Sequence, residues 1–488
     1  MLPRIVALDQ GTSSTKALIV DSAGVVHARA TAPLASIYPQ EGWAEQSAGD
    51  IWRSVQEAIA GVEATAGSDG IVGLALANQR ETIVLWDGTT GEPVHNAILW
   101  QCGRGAALCD RLIAEGHNEA VEAATGLGIS SMFPASKLAH ALAQVPGLRD
   151  LCRAGRLRAG TVDSWLLFKL TGGKVFATDP SNASRTQLFD TRTLRFSPEL
   201  GAIFGVPVDL LPEPRPSDSR FGETASGATA LPGGLPIHAM MGDSHAALYG
   251  HGVRAPGPVK ATYGTGSSLM TLTETRVRSQ HGLSGTIAWS RGDTVAYALE
   301  GNIIVSAQAA AFAAELLGLN DVAALDQLAQ SVPDSAGVVF VPALSGLGAP
   351  HWRTDARGMM DGLTLGTKPA HIARAAFEAI ALQIADVFAA MEADRGAPLS
   401  GLLADGGASA NPFLMQIQAD LLGREVRRGD LPELGAMGAA AMAFSALGIE
   451  TPALDTPAHA DRFAPLFDAA RREAIHARWR KALARVLG

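Results

Sequence analysis

Arg4-Ile-Val-Ala-Leu-Asp-Gln-Gly-Thr-Ser-Ser-Thr-Lys-Ala-Leu-Ile-Val20 is an apolar run, a short polar loop and a second apolar run. That pattern predicts a β-hairpin with Gln10 to Ser14 at its tip. The same device returns at Val259-Lys-Ala-Thr-Tyr-Gly-Thr-Gly-Ser-Ser-Leu-Met-Thr-Leu272, with Gly264 to Ser268 at the tip. One hairpin in each half of the chain predicts two related lobes facing one another, with ligand held between them.

Outward from the hairpins, helical and strand patterns alternate. Ile51, Val55, Ile59 and Val62 recur at helical spacing after Ser47 and Asp50, which suit a helix start. Ile71 to Ala77 and Thr82 to Trp86 read as strands. Phe377, Ile380, Ile384, Val387 and Met391 form a helical stripe after Pro369, and another helix runs from Asn411-Pro412 to Gly423. The fold class is therefore α/β. Pro207 to Pro236 reads as a long surface connection, and Arg254-Ala-Pro-Gly-Pro258 as the domain boundary. This divides the chain into an N-terminal lobe, 1–253, and a C-terminal lobe, 254–488.

A length of 488 residues suits two such lobes. Charged residues make up 18% and the net charge is −9, with no basic block, which argues against nucleic acid or an anionic membrane surface as partner. The most apolar window, Gly435 to Gly448, is too short to span a bilayer, and the N-terminus lacks the apolar core of a signal peptide. A soluble, cytoplasmic protein is expected. Cys102, Cys109 and Cys152 lack metal-ligand spacing and read as free thiols.

Several polar residues stand where chemistry is possible. Asp9 ends an apolar strand directly before Thr12, Ser13 and Ser14. A carboxylate beside a donor-rich loop suits a magnesium-bound phosphate chain, and an ordinary polar turn suits the pattern too. Gly264-Thr265-Gly266 offers a second phosphate contact or, again, a plain hairpin tip. Neither loop is a P-loop. Asp405-Gly-Gly-Ala408 allows a flat ligand near a helix start, or is a strand-to-helix turn. Asp243 ends the apolar run Pro236 to Gly242, as a proton acceptor for an alcohol or as a helix cap. Arg80-Glu81 offers donors and acceptors to hydroxyls, or forms a surface ion pair.

Taken together, these residues resemble the FGGY carbohydrate kinases and, within them, the glycerol kinases. The likeness runs in collinear order from about Arg4 to Gly448. It rests on Ile5-Val-Ala-Leu-Asp-Gln-Gly-Thr12, Asn78-Gln-Arg-Glu-Thr82, Asn96-Ala-Ile-Leu-Trp-Gln-Cys102 and Asn182-Ala-Ser-Arg-Thr186. Tyr263-Gly-Thr-Gly266, Gly346-Leu-Gly-Ala-Pro350, Ala356-Arg-Gly358 and Asp405-Gly-Gly-Ala408 complete it, with a signature from Gly358 through His371 to Glu378. The resemblance implies two ribonuclease H-like lobes of the actin-like ATPase type, and ATP-dependent phosphorylation of a small polyol or sugar. It implies ATP and magnesium as cofactors and a homodimer or homotetramer as the assembly. Thr12, Ser13, Ser14 and Lys16 would meet the nucleotide phosphates, with Thr265 opposite. Gly407 and Asn411 would line the adenosine site. Asp243 would be the general base and, with Asp9, a magnesium ligand. Arg80, Glu81, Trp100, Met132 and Ser244 would surround the acceptor.

The chain departs from the glycerol kinase pattern at the acceptor. Met132 replaces a usual Tyr, Ser244-His245 a Gln, and Ser268 a Phe. A wider pocket follows, one for a four- or five-carbon polyol or ketose such as erythritol, xylulose or ribulose. Near the adenine, Ala307 and Ala311 replace a Gly and a Gln and remove a polar contact. A non-catalytic nucleotide-binding regulator on the same fold is the competing reading from another class.

Overall fold

The computed structural model describes residues 1–429, 433–455 and 459–488. The opening hairpin forms as expected: β1 (Arg4–Gln10) pairs antiparallel with β2 (Ser14–Asp21), followed by β3 (Val26–Pro33). Next come α1 (Ala48–Ala66) and β4 (Ile71–Asn78), then an insertion that carries α2 (Pro134–Gln144). Strands β5 (Arg220–Glu223) and β6 (Pro236–Gly242) complete a sheet of order β5-β6-β4-β1-β2-β3. Ser47 caps α1 by accepting the Asp50 amide at 3.1 Å, and Ile51, Val55, Ile59 and Val62 form its buried face.

Helix α3 (Asp243–Gly250) leads into β7 (Pro258–Tyr263), β8 (Ser267–Thr273), β9 (Ser284–Arg291) and β10 (Thr294–Ile303). After α4 (Gln308–Leu316) and α5 (Pro369–Arg395) come β11 (Gly401–Asp405), α6 (Pro412–Leu422), β12 (Val426–Gly429), α7 (Leu434–Ala446) and β13 (His459–Phe463). The second sheet has the order β9-β10-β8-β7-β11-β12-β13. Without β9 it repeats the first sheet strand for strand, β10-β8-β7-β11-β12-β13 against β3-β2-β1-β4-β6-β5. The directions match as well: the two hairpins and the edges are antiparallel, and the central β1/β4, β4/β6, β7/β11 and β11/β12 pairs are parallel. Two lobes built on one plan account for the repeated hairpin in the sequence.

Strand β1 is apolar without alternation because both of its faces are covered. Val6 and Leu8 join the cluster under α1, while Ile5 and Ala7 join a cluster shared with α3 and α7. That second cluster also contains Met270 and Leu272 of β8 and Leu403 of β11, so α3 and α7 are packed between the two sheets. Helix α7 is the Ala-rich segment noted in the sequence, and it is buried around its whole circumference. It follows Arg254–Pro258 in the chain yet packs on β1, β4 and β6 of the first sheet. Among the described residues, no helix is long and apolar enough to cross a membrane.

One expectation needs correcting. Residues 207–236 are more than a surface connection. They contain edge strand β5, which pairs antiparallel with β6 and buries Phe221, and Ser217 is fully buried with its hydroxyl on Asp179. The turn-forming composition is real, but the strand inside it is four residues long and gives little periodic signal.

Candidate active site

The facing hairpins and the helix starts between them enclose a cavity of about 810 Å³. Asp9, Ser13, Ser14 and Lys16 enter it from the first hairpin, and Thr262 and Ser268 from the second. Arg80, Asp243 and Ser244 line it from the first lobe, and Gly407 lines it from the loop after β11. The remaining expected residues are outside the lining, each for a visible reason. The Thr12 hydroxyl accepts the Trp100 indole N–H at 3.1 Å and donates to Gln79 at 3.3 Å. Thr265 is exposed at its loop tip, where its carbonyl accepts the Ser306 amide. The Asn411 side-chain oxygen caps α6 by accepting the Leu414 amide. Ala307 precedes α4, and Ala311 is exposed on that helix.

Asp9, next to last in β1, lies opposite Lys16 of β2. Burial, and then the nearby Asp243 carboxylate, push its carboxyl up to about 6, with Lys16 opposing. The first turn of α7 approaches so closely that a β-carbon on Gly435 would sit 2.7 Å from Asp9 Oδ2. Asp243 is the first residue of α3, where the free N–H groups of the helix end favour a carboxylate. Burial raises its affinity for a proton, and Arg80, with Nε 3.2 Å from Asp243 Oδ1, works against that.

Arg80 and Glu81 do not pair with each other at the surface, and both are buried. Glu81 adopts a left-handed φ of 58°, which turns its side chain away toward Arg185, whose Nε donates to Glu81 Oε1 at 2.6 Å. Arg80 instead reaches Glu300 at 2.7 Å and Asp243. Trp100 and Met132 are tied to Glu81 by one group: the buried Lys137 ammonium of α2 donates to the backbone carbonyls of Glu81 and Trp100 at 3.1 Å, and to that of Met132.

Four residues with no role in the sequence reading thus prove central: Lys137, Arg185, Lys260 and Glu300. Lys260 is buried on β7 and donates to Ser244 Oγ at 2.7 Å, and Ser244 Oγ stands 3.2 Å from Ser268 Oγ. Burial lowers the pKa of its ammonium, with Asp405 opposing. A signal was present for two of them, since Lys260 and Glu300 are lone charges in otherwise apolar strands. Gly406 shapes the far wall. It has φ 87°, and a β-carbon there would lie 2.5 Å from the Tyr263 carbonyl, so only glycine lets β11 turn past the second hairpin.

Among the described residues no group of three or more His, Cys, Asp or Glu is arranged to hold a metal by itself. Asp9 and Asp243 are nonetheless two carboxylates on one cavity, with Asp243 raising the proton affinity of Asp9, and this fits a cation shared with phosphate oxygens.

Comparison with known proteins shows the family. Residues 4–250 match the model of the FGGY family of carbohydrate kinases, N-terminal domain, and residues 259–447 that of its C-terminal domain. The chain is 44% identical to a glycerol kinase of Symbiobacterium thermophilum over 491 residues, 99% of this chain and 98% of that one. It is also 44% identical to a glycerol kinase of Koribacter versatilis, covering 100% and 99%. Among solved structures, glycerol kinase of Plasmodium falciparum with ADP superimposes with a TM-score of 0.94 at 30% identity, over 100% of this chain and 99% of that one. The two repeated sheets are the paired lobes of an actin-like ATPase fold, and the chain belongs to the FGGY family of carbohydrate kinases.

Proposed function

We propose that the protein transfers the γ-phosphoryl group of ATP to a hydroxyl of glycerol or a closely related small polyol. The observation that carries this reading is Asp243: it lies on the cavity within reach of Arg80, on the same cavity as Ser13, Ser14 and Lys16 of the first hairpin. Full-length likeness to glycerol kinases and the ADP-bound neighbour support ATP as the donor.

In this mechanism Arg80 and Glu81 hold the acceptor through its hydroxyls, and Trp100 covers its carbon face. Asp243 takes the proton of the attacking hydroxyl as the new P–O bond forms. Ser13 and Ser14 donate to phosphate oxygens, and Lys16 balances charge at the phosphate end. Gly407 leaves room for adenosine beside the backbone. Asp9 and Asp243 would hold magnesium, which when bound neutralises phosphate charge and orients the donor. Water leaves the cavity as the lobes approach. Cytoplasmic residence, two lobes meeting near residue 254 and a homodimeric or homotetrameric assembly go with this reading.

A second reading within the same chemistry has an observation of its own. Ser244 and Ser268 are small, both line the cavity, and their hydroxyls already bond to one another, which leaves space for a four- or five-carbon polyol or ketose. A coupled ADP-release assay across three- to six-carbon polyols and ketoses, compared by kcat/KM, tests both. We expect turnover that depends on the acceptor, with glycerol or a four- or five-carbon compound preferred. ADP release that ignores the acceptor, or no release at all, points to a nucleotide-binding regulator and refutes the reading.

A further inference from the structure

The acceptor pair and Asp243 are joined by ion pairs that cross from one lobe to the other. Glu300, in β10 of the second lobe, is fully buried. One of its oxygens lies 2.7 Å from Arg80 Nη2 and the other 2.8 Å from Arg185 Nη2. Arg185 holds Glu81 at 2.6 Å, and Arg80 Nε stands 3.2 Å from Asp243. Ser268 Oγ adds a hydrogen bond of 3.1 Å to the Glu300 oxygen that faces Arg80. Charges therefore alternate along Glu81, Arg185, Glu300, Arg80 and Asp243, and Glu300 is the member supplied by the second lobe. Each guanidinium is a rigid planar group with a carboxylate close to two of its nitrogens, so the ion pairs hold its position from two sides. Burial alone would neutralise Glu300, but Arg185 and Arg80 outweigh it and keep the carboxylate ionised far below the usual range.

From this geometry we infer that Glu300 is a positioning residue for the acceptor. It orients Arg80 directly and Glu81 through Arg185, so the hydroxyl-binding pair is set only when the second lobe is in place. The inference rests on the kinase reading above. Without the Glu300 carboxylate, Arg80 loses its shortest ion pair and is left with Asp243 at 3.2 Å and the nearby charge of Glu81, which shift it from its present position. Among the described residues the chain of pairs meets the nucleotide side only through Asp243, with which Glu300 makes no direct ion pair, so the loss falls on the acceptor.

The test is steady-state kinetics of the full-length enzyme with magnesium-ATP and the preferred acceptor of the panel. Glu300→Gln keeps shape and removes charge. It should lower kcat/KM for the acceptor about 100-fold, the scale of a misplaced positioning group, and leave the KM for ATP within about twofold. Arg185→Lys keeps charge but cannot span both carboxylates, and should show the same acceptor-selective loss. Glu300→Asp, which restores the charge on a shorter arm, should recover part of the activity. Acceptor kcat/KM within about threefold of wild type in a folded Glu300→Gln, or equal losses toward acceptor and ATP, overturns the inference. If Glu300→Gln does not fold, Arg185→Lys decides by the same criteria. A wild-type enzyme without acceptor-dependent turnover is a different result, and it removes the kinase reading itself.

Discussion

Lys137 is fully buried, and its ammonium meets the carbonyls of Glu81, Trp100 and Met132. Three donors meet three acceptors, so the charge is solvated by backbone. Burial pushes its pKa down to about 7, with Glu81 opposing. One side chain thereby ties together three separate segments of the chain. Lys137→Met keeps the bulk and loses all three bonds. It should raise the acceptor KM about tenfold and change the ATP KM less than about twofold, as for a group that shapes one subsite. Equal effects on both substrates would show that Lys137 supports the fold as a whole. Asp9, Arg80 and Asp243 were legible in the sequence because each ends or follows an apolar strand beside a loop. Lys137 and Arg185 were not, and Glu300 showed only as a lone charge in an apolar strand, because their roles come from partners far along the chain: Arg185 and Glu81 are 104 residues apart. Thr12 and Asn411 were legible as polar loop residues, but bonds to Trp100 and Gln79 engage the first side chain and a bond to Leu414 the second. Spacing alone does not reveal such competition.

Helix α7 shows what small residues do for an element. A β-carbon on Gly438 would lie 1.8 Å from the Ala246 carbonyl of α3, and one on Gly250 would lie 2.4 Å from the Leu434 carbonyl. The two helices therefore touch backbone to backbone between the sheets, with Asp243 at the start of one and Gly435, beside Asp9, at the start of the other. Gly438→Ala must push them apart. It should cost about 1–3 kcal/mol, the usual range for overpacking, read as a lower urea midpoint in equilibrium unfolding. An unchanged midpoint would mean that the contact relaxes without strain. Strong elements were readable in advance: both hairpins, α1, α5 and α6 have periodic apolar faces or clear caps. Strand β5 was hidden in a Pro- and Gly-rich stretch, and α7, apolar on every side, read as no more than a short hydrophobic segment. Its place on the first sheet follows from tertiary packing, which no local pattern encodes.

At the scale of the molecule, two sheets of one topology turn their hairpins toward a common cavity, with α3 and α7 packed between the sheets. The first lobe lines the cavity with Arg80 and Asp243, backed by the buried Glu81, and the second with Lys260 and the Gly406-Gly407 turn, backed by the buried Glu300. The repeated hairpin and the collinear motifs made this architecture legible from the sequence. The room left around Met132, Ser244 and Ser268 was not legible, since it depends on how they pack. The central claim is that Asp243 accepts the proton of the alcohol inside this cavity. Its most direct test is the rate of acceptor-dependent ADP formation by wild type and Asp243→Asn at saturating magnesium-ATP and acceptor, with thermal unfolding as the control for folding. We predict a fall in kcat of about 10²- to 10⁴-fold, the range expected for loss of a general base, with an unchanged melting temperature. A folded Asp243→Asn variant that turns over at nearly the wild-type rate would contradict the account.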